Sequence, residues 1–164
     1  MKANAGGAKP DLAELYDRLG LGLHRYALMI LADHSEAEDA VHQVFAALVR
    51  RGTDGLESAD HYLRRAVRNE CLGRLRKQQA MPTLPVDGLL EPASSADRPD
   101  ERIALARALG LLPSDQREVV HLKVFEGLTL NEIAELTSES INTVASRYRY
   151  AMQKLRAALN GGSE

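Results

Sequence analysis

The passage from 129 to 159 leaves the chain least freedom. Thr129, followed three residues later by Glu132, is a capping box, in which a hydroxyl and a carboxylate satisfy amides left free at a helix start. Ile133, Ala134 and Leu136 then supply one apolar face of a short helix, and the polar run Thr137, Ser138, Glu139, Ser140 is a turn. Beyond it Ile141, Val144, Tyr148, Met152, Leu155 and Leu159 recur every three or four residues, the buried stripe of a long second helix. A short capped helix, a polar turn and a long amphipathic helix predict a helix-turn-helix, the last two of three consecutive helices over 112–159.

The face opposite that stripe carries Asn142, Thr143, Ser146, Arg147, Arg149, Tyr150, Lys154 and Arg156. Residues 140–159 hold four bases and no acid, a net charge of +4, whereas 113–139 hold two bases and six acids, a net charge of −4. Charge is therefore segregated onto one helix. Arginine and lysine neutralise phosphates, and Asn, Thr, Ser and Arg near the start of a recognition helix reach base edges. A solvated basic face is the plainer reading of such a helix taken alone; the capped partner helix and the turn favour DNA binding.

At 164 residues the chain has room for one ordinary domain or two small helical ones. No apolar run is long enough to span a bilayer, and 1–10 do not form a secretory signal, so a cytoplasmic location without membrane insertion is expected. A single cysteine, Cys71, excludes an internal disulfide and a Cys-rich zinc site. His24, His34, His42, His61 and His121 are scattered without the i, i+4 spacing of a helical zinc motif, so no metal, cofactor or catalytic residue is expected. The net charge of −2 argues against a protein that coats nucleic acid indiscriminately and confines DNA contact to local patches.

The N-terminal half repeats the helical pattern. Asp11 can cap a helix with Leu12, Leu15, Tyr16, Leu19, Leu23, Tyr26, Ala27 and Ile30 at helical spacing. Ser35 with Glu38 forms a second capping box, opening a helix to about Arg51 that buries Ala37, Val41, Val44 and Leu48 and turns Asp39, His42, Gln43 and Ala46 outward. A third helix, from Ser58 or Asp60 to about Gln78, buries Leu63, Ala66, Val67, Cys71 and Leu75. Over 64–77 it carries six bases against Glu70, with Arg65, Arg68, Asn69, Leu72 and Arg76 on a common side. This face is a second candidate for DNA, with a solvated basic surface as the alternative.

Between the halves, 79–100 breaks every periodicity with four prolines, a glycine and an acidic excess, and reads as an extended linker. The expected architecture is all-α: a helical domain over 11–78, the linker over 79–100 and a helix-turn-helix domain over 101–160.

This layout resembles a bacterial RNA polymerase sigma factor of the extracytoplasmic-function type, over roughly 12–159. The most specific piece is Leu112-Pro113, Arg117-Glu118-Val119, Glu126-Gly127-Leu128-Thr129 and Glu132-Ile133-Ala134-Glu135, continued by Thr143-Val144, Ser146-Arg147 and Lys154-Leu155-Arg156, which is similar to region four of the family. Ala37-Glu38-Asp39 with Val44-Phe45, and Arg68-Asn69 with Leu75-Arg76, are similar to region two. The resemblance implies a non-enzymatic initiation factor whose partners are core RNA polymerase and promoter DNA, with room for an anti-sigma factor.

By the same resemblance Glu38, Asp39, His42 and Gln43 would face polymerase, Glu38 mainly capping its helix. Arg65, Arg68, Asn69 and Arg76 would bind the minus-ten element, and Asn142, Thr143, Ser146, Arg147 and Arg149 the minus-thirty-five element. Departures are His42 and Gln43 for the usual Gln and Glu, Tyr62 for Trp, Gly73 for Asp, and Ser138 for the common glycine of the turn. A stand-alone helix-turn-helix regulator and a sigma-like decoy that never opens DNA are the competing readings.

Overall fold

The computed structural model describes residues 10–78 and 99–161, and every regular element among them is helical. Asp11 accepts a hydrogen bond from the Ala13 amide and opens α1, Leu12–Leu31. Ala32 takes the left-handed conformation at φ 53°, and its amide closes α1 on the Leu28 carbonyl. One residue later Asp33 caps α2, His34–Arg51, by accepting from the Glu36 amide at 2.9 Å.

The second capping box expected at Ser35 and Glu38 is therefore displaced. The reversal at Ala32 leaves Asp33 as the first extended residue, and an aspartate there reaches the amide three positions on, so Ser35 is already helical. Glu38 lies inside α2 and caps nothing.

Ser58 caps α3, Ala59–Lys77, through the His61 amide. α4 spans Pro99–Gly110, so the segment expected to be linker through Asp100 gives up its last two residues to helix; the rest of that expectation, 79–98, lies outside the described residues. Proline suits a first helical position, where its missing amide has no partner to lose, and Asp100 and Glu101 favour the positive end of the helix dipole.

α5, Ser114–Val120, continues into a π-helical turn over His121–Phe125, in which the Glu126 amide bonds the His121 carbonyl five residues back. Gly127 at φ 72° then reverses the chain, a conformation its missing Cβ permits. Thr129 caps α6, Leu130–Thr137, through the Glu132 amide, as its sequence predicts. Ser138 is left-handed at φ 56°, and Ser140 caps α7, Ile141–Asn160, through the Thr143 amide.

The two halves share one continuous core. Leu63, Val67 and Cys71 of α3 close over Leu15, Leu23 and Ala27 of α1 and Val41, Val44 and Leu48 of α2. Leu109, Leu112, Val119, Leu122, Ile133, Leu136, Val144, Ala151 and Leu155 fill the C-terminal half. Joining them is the end of α1, where every residue from Tyr26 to Ala32 is buried. Such a helix end has no solvent face, because α2 and α3 cover one side and α5 the other.

Some positions expected in apolar stripes are instead exposed: Tyr16 on α1 and Ile141 and Leu159 at the two ends of α7. A 20-residue helix against a short domain buries only its middle, and Ala151 takes the inward position there.

Candidate nucleic-acid interface

Three surfaces contain the expected site residues. On α2, Glu38, Asp39, His42 and Gln43 are all exposed on the side away from the core. Tyr16 of α1 leans against this face. Its hydroxyl lies 3.4 Å from His42 Nε2, and its ring meets Phe45 edge-on at 5.1 Å. A shallow cleft of about 410 Å³ runs beside it between α1 and α2, lined by Tyr16, Leu21, His24, Glu38, Val41 and His42.

On α3 the expected residues divide. Asn69 and Arg76 point outward, Arg76 reaching only the Leu72 carbonyl of its own helix at 3.4 Å. Arg65 and Arg68 instead turn to the C-terminal half. Arg65 donates to the Glu135 carbonyl at 2.9 Å, at the end of α6, and Arg68 Nε donates to Glu118 Oε1 at 2.7 Å. Arg64, one turn before Arg68, is paired with Glu126 at 2.5 Å.

On α7, Asn142 and Arg149 are exposed, while Thr143 and Ser146 are half-buried at the start of the helix. Thr143 is held by the cap, its hydroxyl accepting from Ser140 at 2.9 Å. Arg149 lies over the ring of Tyr150, its guanidinium carbon 5.3 Å from the centroid. Arg147 behaves differently from its neighbours. Its guanidinium bridges Asp115 of α5 at 3.2 Å and Glu139 of the turn at 3.3 Å.

The seam between the halves holds the residues that sequence patterns missed. Glu118, 3% exposed, accepts from the Tyr26 hydroxyl at 2.5 Å as well as from Arg68. Burial, reinforced by the Glu118 carboxylate, pushes the Tyr26 hydroxyl well above its ordinary pKa, so it remains a donor at any working pH. Arg117, 2% exposed, donates to the carbonyls of Met29 and Ile30 and, at 3.3 Å, to that of Leu112. The first two belong to the last turn of α1, which lacks basic residues of its own, so an arginine from the other half neutralises the negative end of that helix. Burial lowers its pKa to about 10, which leaves it a cation at neutral pH.

His121 stacks on Tyr26 with ring centroids 5.6 Å apart, and its Nε2 lies 3.2 Å from Glu126. Burial alone would raise the Glu126 carboxyl, but His121 and Arg64 outweigh it and hold it below its usual value. One signal for this seam was available in the sequence: 26–32 are apolar without interruption, wider than the stripe of a helix with a wet face.

Cys71 is fully buried, and burial raises its thiol to about 12, consistent with a small core residue. No helix among the described residues is long and apolar enough to cross a membrane.

Comparison with known proteins assigns the two halves separately. The family model for sigma-70 region 2 matches residues 15–81, and that for sigma-70 region 4 matches 102–155. The chain is 28% identical over 162 residues to the ECF RNA polymerase sigma factor SigM of Mycobacterium tuberculosis, covering 97% of this chain and 82% of SigM. It is 25% identical over 167 residues to SigK of Mycobacterium bovis, covering 95% and 89%.

Among solved structures, the sigma factor RpoE in complex with the anti-sigma factor NepR, from Bartonella quintana, superposes with a TM-score of 0.71 at 23% identity, over 90% of this chain and 97% of that one. CnrH in complex with the cytosolic domain of CnrY gives 0.62 at 22% identity, over 93% and 89%. Both share the all-helical fold.

Proposed function

The chain belongs to the extracytoplasmic-function sigma-70 factors, non-enzymatic proteins of transcription initiation, and from that premise we propose that it carries core RNA polymerase to promoters by reading two DNA elements. The observation that carries this reading is the pair of cationic helices, α3 and α7, one in each half of a chain that is acidic overall. Either half alone would bind DNA weakly. Held together on polymerase, each raises the effective concentration of the other at the promoter.

In this reading the outer face of α2 docks on polymerase through Asp39, His42 and Gln43, with Glu38 at its edge. Arg65, Arg68, Asn69 and Arg76 engage the minus-ten element, where strand opening presents unstacked bases to a protein surface. Asn142, Thr143, Ser146 and Arg149 meet the minus-thirty-five element in the major groove, with Arg147 beside them. Arg65 and Arg68 are already bonded to the C-terminal half, so in this reading they reach DNA only once the seam parts, whereas Asn69 and Arg76 are exposed already. An anti-sigma factor is a third proposed partner, by analogy with the NepR and CnrY complexes, and the cytoplasm is the proposed location.

Run-off transcription from a library of random upstream sequences, with core polymerase in the presence and absence of the chain, tests this directly. Transcripts that depend on the chain and share two spaced motifs are expected. A stable polymerase complex without transcripts would identify a decoy, and loss of both would leave a free DNA-binding regulator. Asp39→Arg is expected to abolish the polymerase complex on a sizing column while leaving helicity intact; an unaltered complex would remove α2 from the docking surface.

A further inference from the structure

Two locally unfavourable features meet at one cleft. Gly22 lies inside α1, where glycine is among the least favourable residues. No crowding demands it, since a Cβ at this position would touch no packed neighbour within 4 Å. The other feature is the π-helical turn over His121–Phe125, an uncommon geometry found mostly at functional sites. Between them lies a cleft of about 320 Å³, with α1 and α3 on one side and the π-helical turn on the other. Gly22 is part of its wall, and a side chain there would take up space that the cleft now offers. Where packing neither needs nor rewards a locally costly choice, function is the expected reason for it.

The lining is cationic and aromatic. Arg18, Arg25 and Arg64 stand against Asp60 and Glu126, three guanidiniums to two carboxylates. Both acids are engaged already, Asp60 by Arg18 at 3.2 Å, and Glu126 by Arg64 at 2.5 Å and by His121 at 3.2 Å. The rings of Tyr26, His121 and Phe125 form a ladder, with successive centroids 5.6 and 5.8 Å apart and interplanar angles of 9° and 23°. Phe125 ends the ladder, lines the cleft and is 49% exposed, and Leu19 and Leu23 add apolar wall.

We propose that this cleft binds a small planar aromatic monocarboxylate, its ring stacked on Phe125 against Leu19 and Leu23 and its carboxylate accepting from the arginines of α1 and α3. The excess of guanidinium favours an anion, the two acids favour a single negative charge, and the exposed end of a ring ladder favours a planar partner. The volume lies at the lower end of small-molecule sites, which suits one ring or two fused rings. Because the two sides of the cleft come from different halves, the ligand bridges them, binds while they are packed and by linkage stabilises that arrangement. The site goes beyond the sigma-factor reading and does not depend on it.

Isothermal titration calorimetry of the full-length chain with benzoate, indole-3-carboxylate and 1-naphthoate tests the site. Acetate supplies a charge without a ring, naphthalene-1-methanol a ring without a charge, and AMP a planar ring with a phosphate. At least one of the three carboxylates is expected to bind with a Kd below about 1 mM and about tenfold or more tighter than acetate and naphthalene-1-methanol. It should raise the thermal midpoint as its concentration rises, and slow hydrogen exchange both in α1 around Gly22 and in the π-helical turn.

Gly22→Leu is expected to abolish binding while leaving the free protein at least as stable as the wild type, because leucine is the better helix former. Gly22→Ala, with the same backbone benefit and a smaller side chain, should keep its affinity within about threefold. Arg18→Gln/Arg25→Gln is expected to weaken the carboxylate about tenfold and leave naphthalene-1-methanol unchanged. Circular dichroism establishes that the variants are folded, and the wild-type titration and exchange are decisive without them. The proposal is overturned if none of the three carboxylates binds, if acetate binds as tightly, if Gly22→Leu binds undiminished, or if the added protection is confined to one half. Tighter binding of AMP than of every carboxylate overturns the monocarboxylate assignment. A chain that takes up the carboxylate but supports no transcription keeps this site and loses the sigma-factor reading; one that transcribes with polymerase and ignores all three carboxylates does the reverse.

Discussion

Arg117 and Glu118 are neighbours in sequence and both almost wholly removed from water, and their opposite charges are answered by different partners. Arg117 meets carbonyl oxygens of α1 and Leu112, and Glu118 meets a hydroxyl and a guanidinium. A buried charge left without its partner costs several kcal/mol, so these two residues are tolerable only where the partners are already in place. Ser138 is the reverse case, a residue whose cost comes from its own backbone. Held at φ 56°, it carries a Cβ where glycine would carry none. Ser138→Gly is expected to raise stability by about 1 kcal/mol, which corresponds to about 2–4 °C in the thermal unfolding midpoint of a protein this size. A midpoint that stays put or falls would show that the serine side chain contributes something in the turn that glycine cannot.

Among the elements, α7 shows most clearly how a local pattern becomes a functional surface. Its periodicity predicts Val144 and Leu155 in the core, packing adds Ala151 between them, and the exposed face follows as the remainder. Arg147 departs from this scheme, since it faces α5 and the turn as well as solvent. Its bonds tie the first helix of the C-terminal group of three to the turn that aims the last. Arg147→Ala is expected to weaken upstream DNA binding without changing its salt slope, because no phosphate contact is lost. The cost in stability should be at most about 1 kcal/mol, because both acid partners are well exposed to solvent. A reduced slope, measured by fluorescence anisotropy titration of an upstream-element duplex at several salt concentrations, would assign Arg147 to the DNA backbone instead. The displaced cap of α2 carries the complementary lesson. Ser35 with Glu38 and Asp33 with Glu36 are equally good boxes on paper, and the left-handed residue at Ala32 chose between them.

For the whole molecule, the seam makes one body of the two halves, and one of its ion pairs is sensitive to acid. Glu126 is held below its ordinary carboxylate pKa, so its contribution is complete well above that ordinary value of 4.5 and is lost as pH falls through the lowered one. The wild type is therefore expected to lose stability on acidification below about pH 4.5, and Glu126→Gln to lose less over the same range. Denaturant midpoints of the two proteins across that range check it, and parallel curves would show that Glu126 is not a contributor.

The caps of α1 and α6, the helix-turn-helix and the segregation of positive charge onto two helices were legible from the order of residues, and the start of α3 was narrowed to Ser58 or Asp60. Each depends on groups within about one or two helical turns of one another, which any chain of this sequence brings together as soon as it coils. The union of the halves was not legible in that way. Tyr26 and Glu118 stand 92 residues apart, and no local spacing announces that a hydroxyl will find that carboxylate, or that Arg117 will complete a helix in the other half. Tertiary structure decided which cations face solvent and which are paired. An arginine on a basic helix bonds whatever acceptor packing brings within reach, and only the relative placement of the halves determines that acceptor.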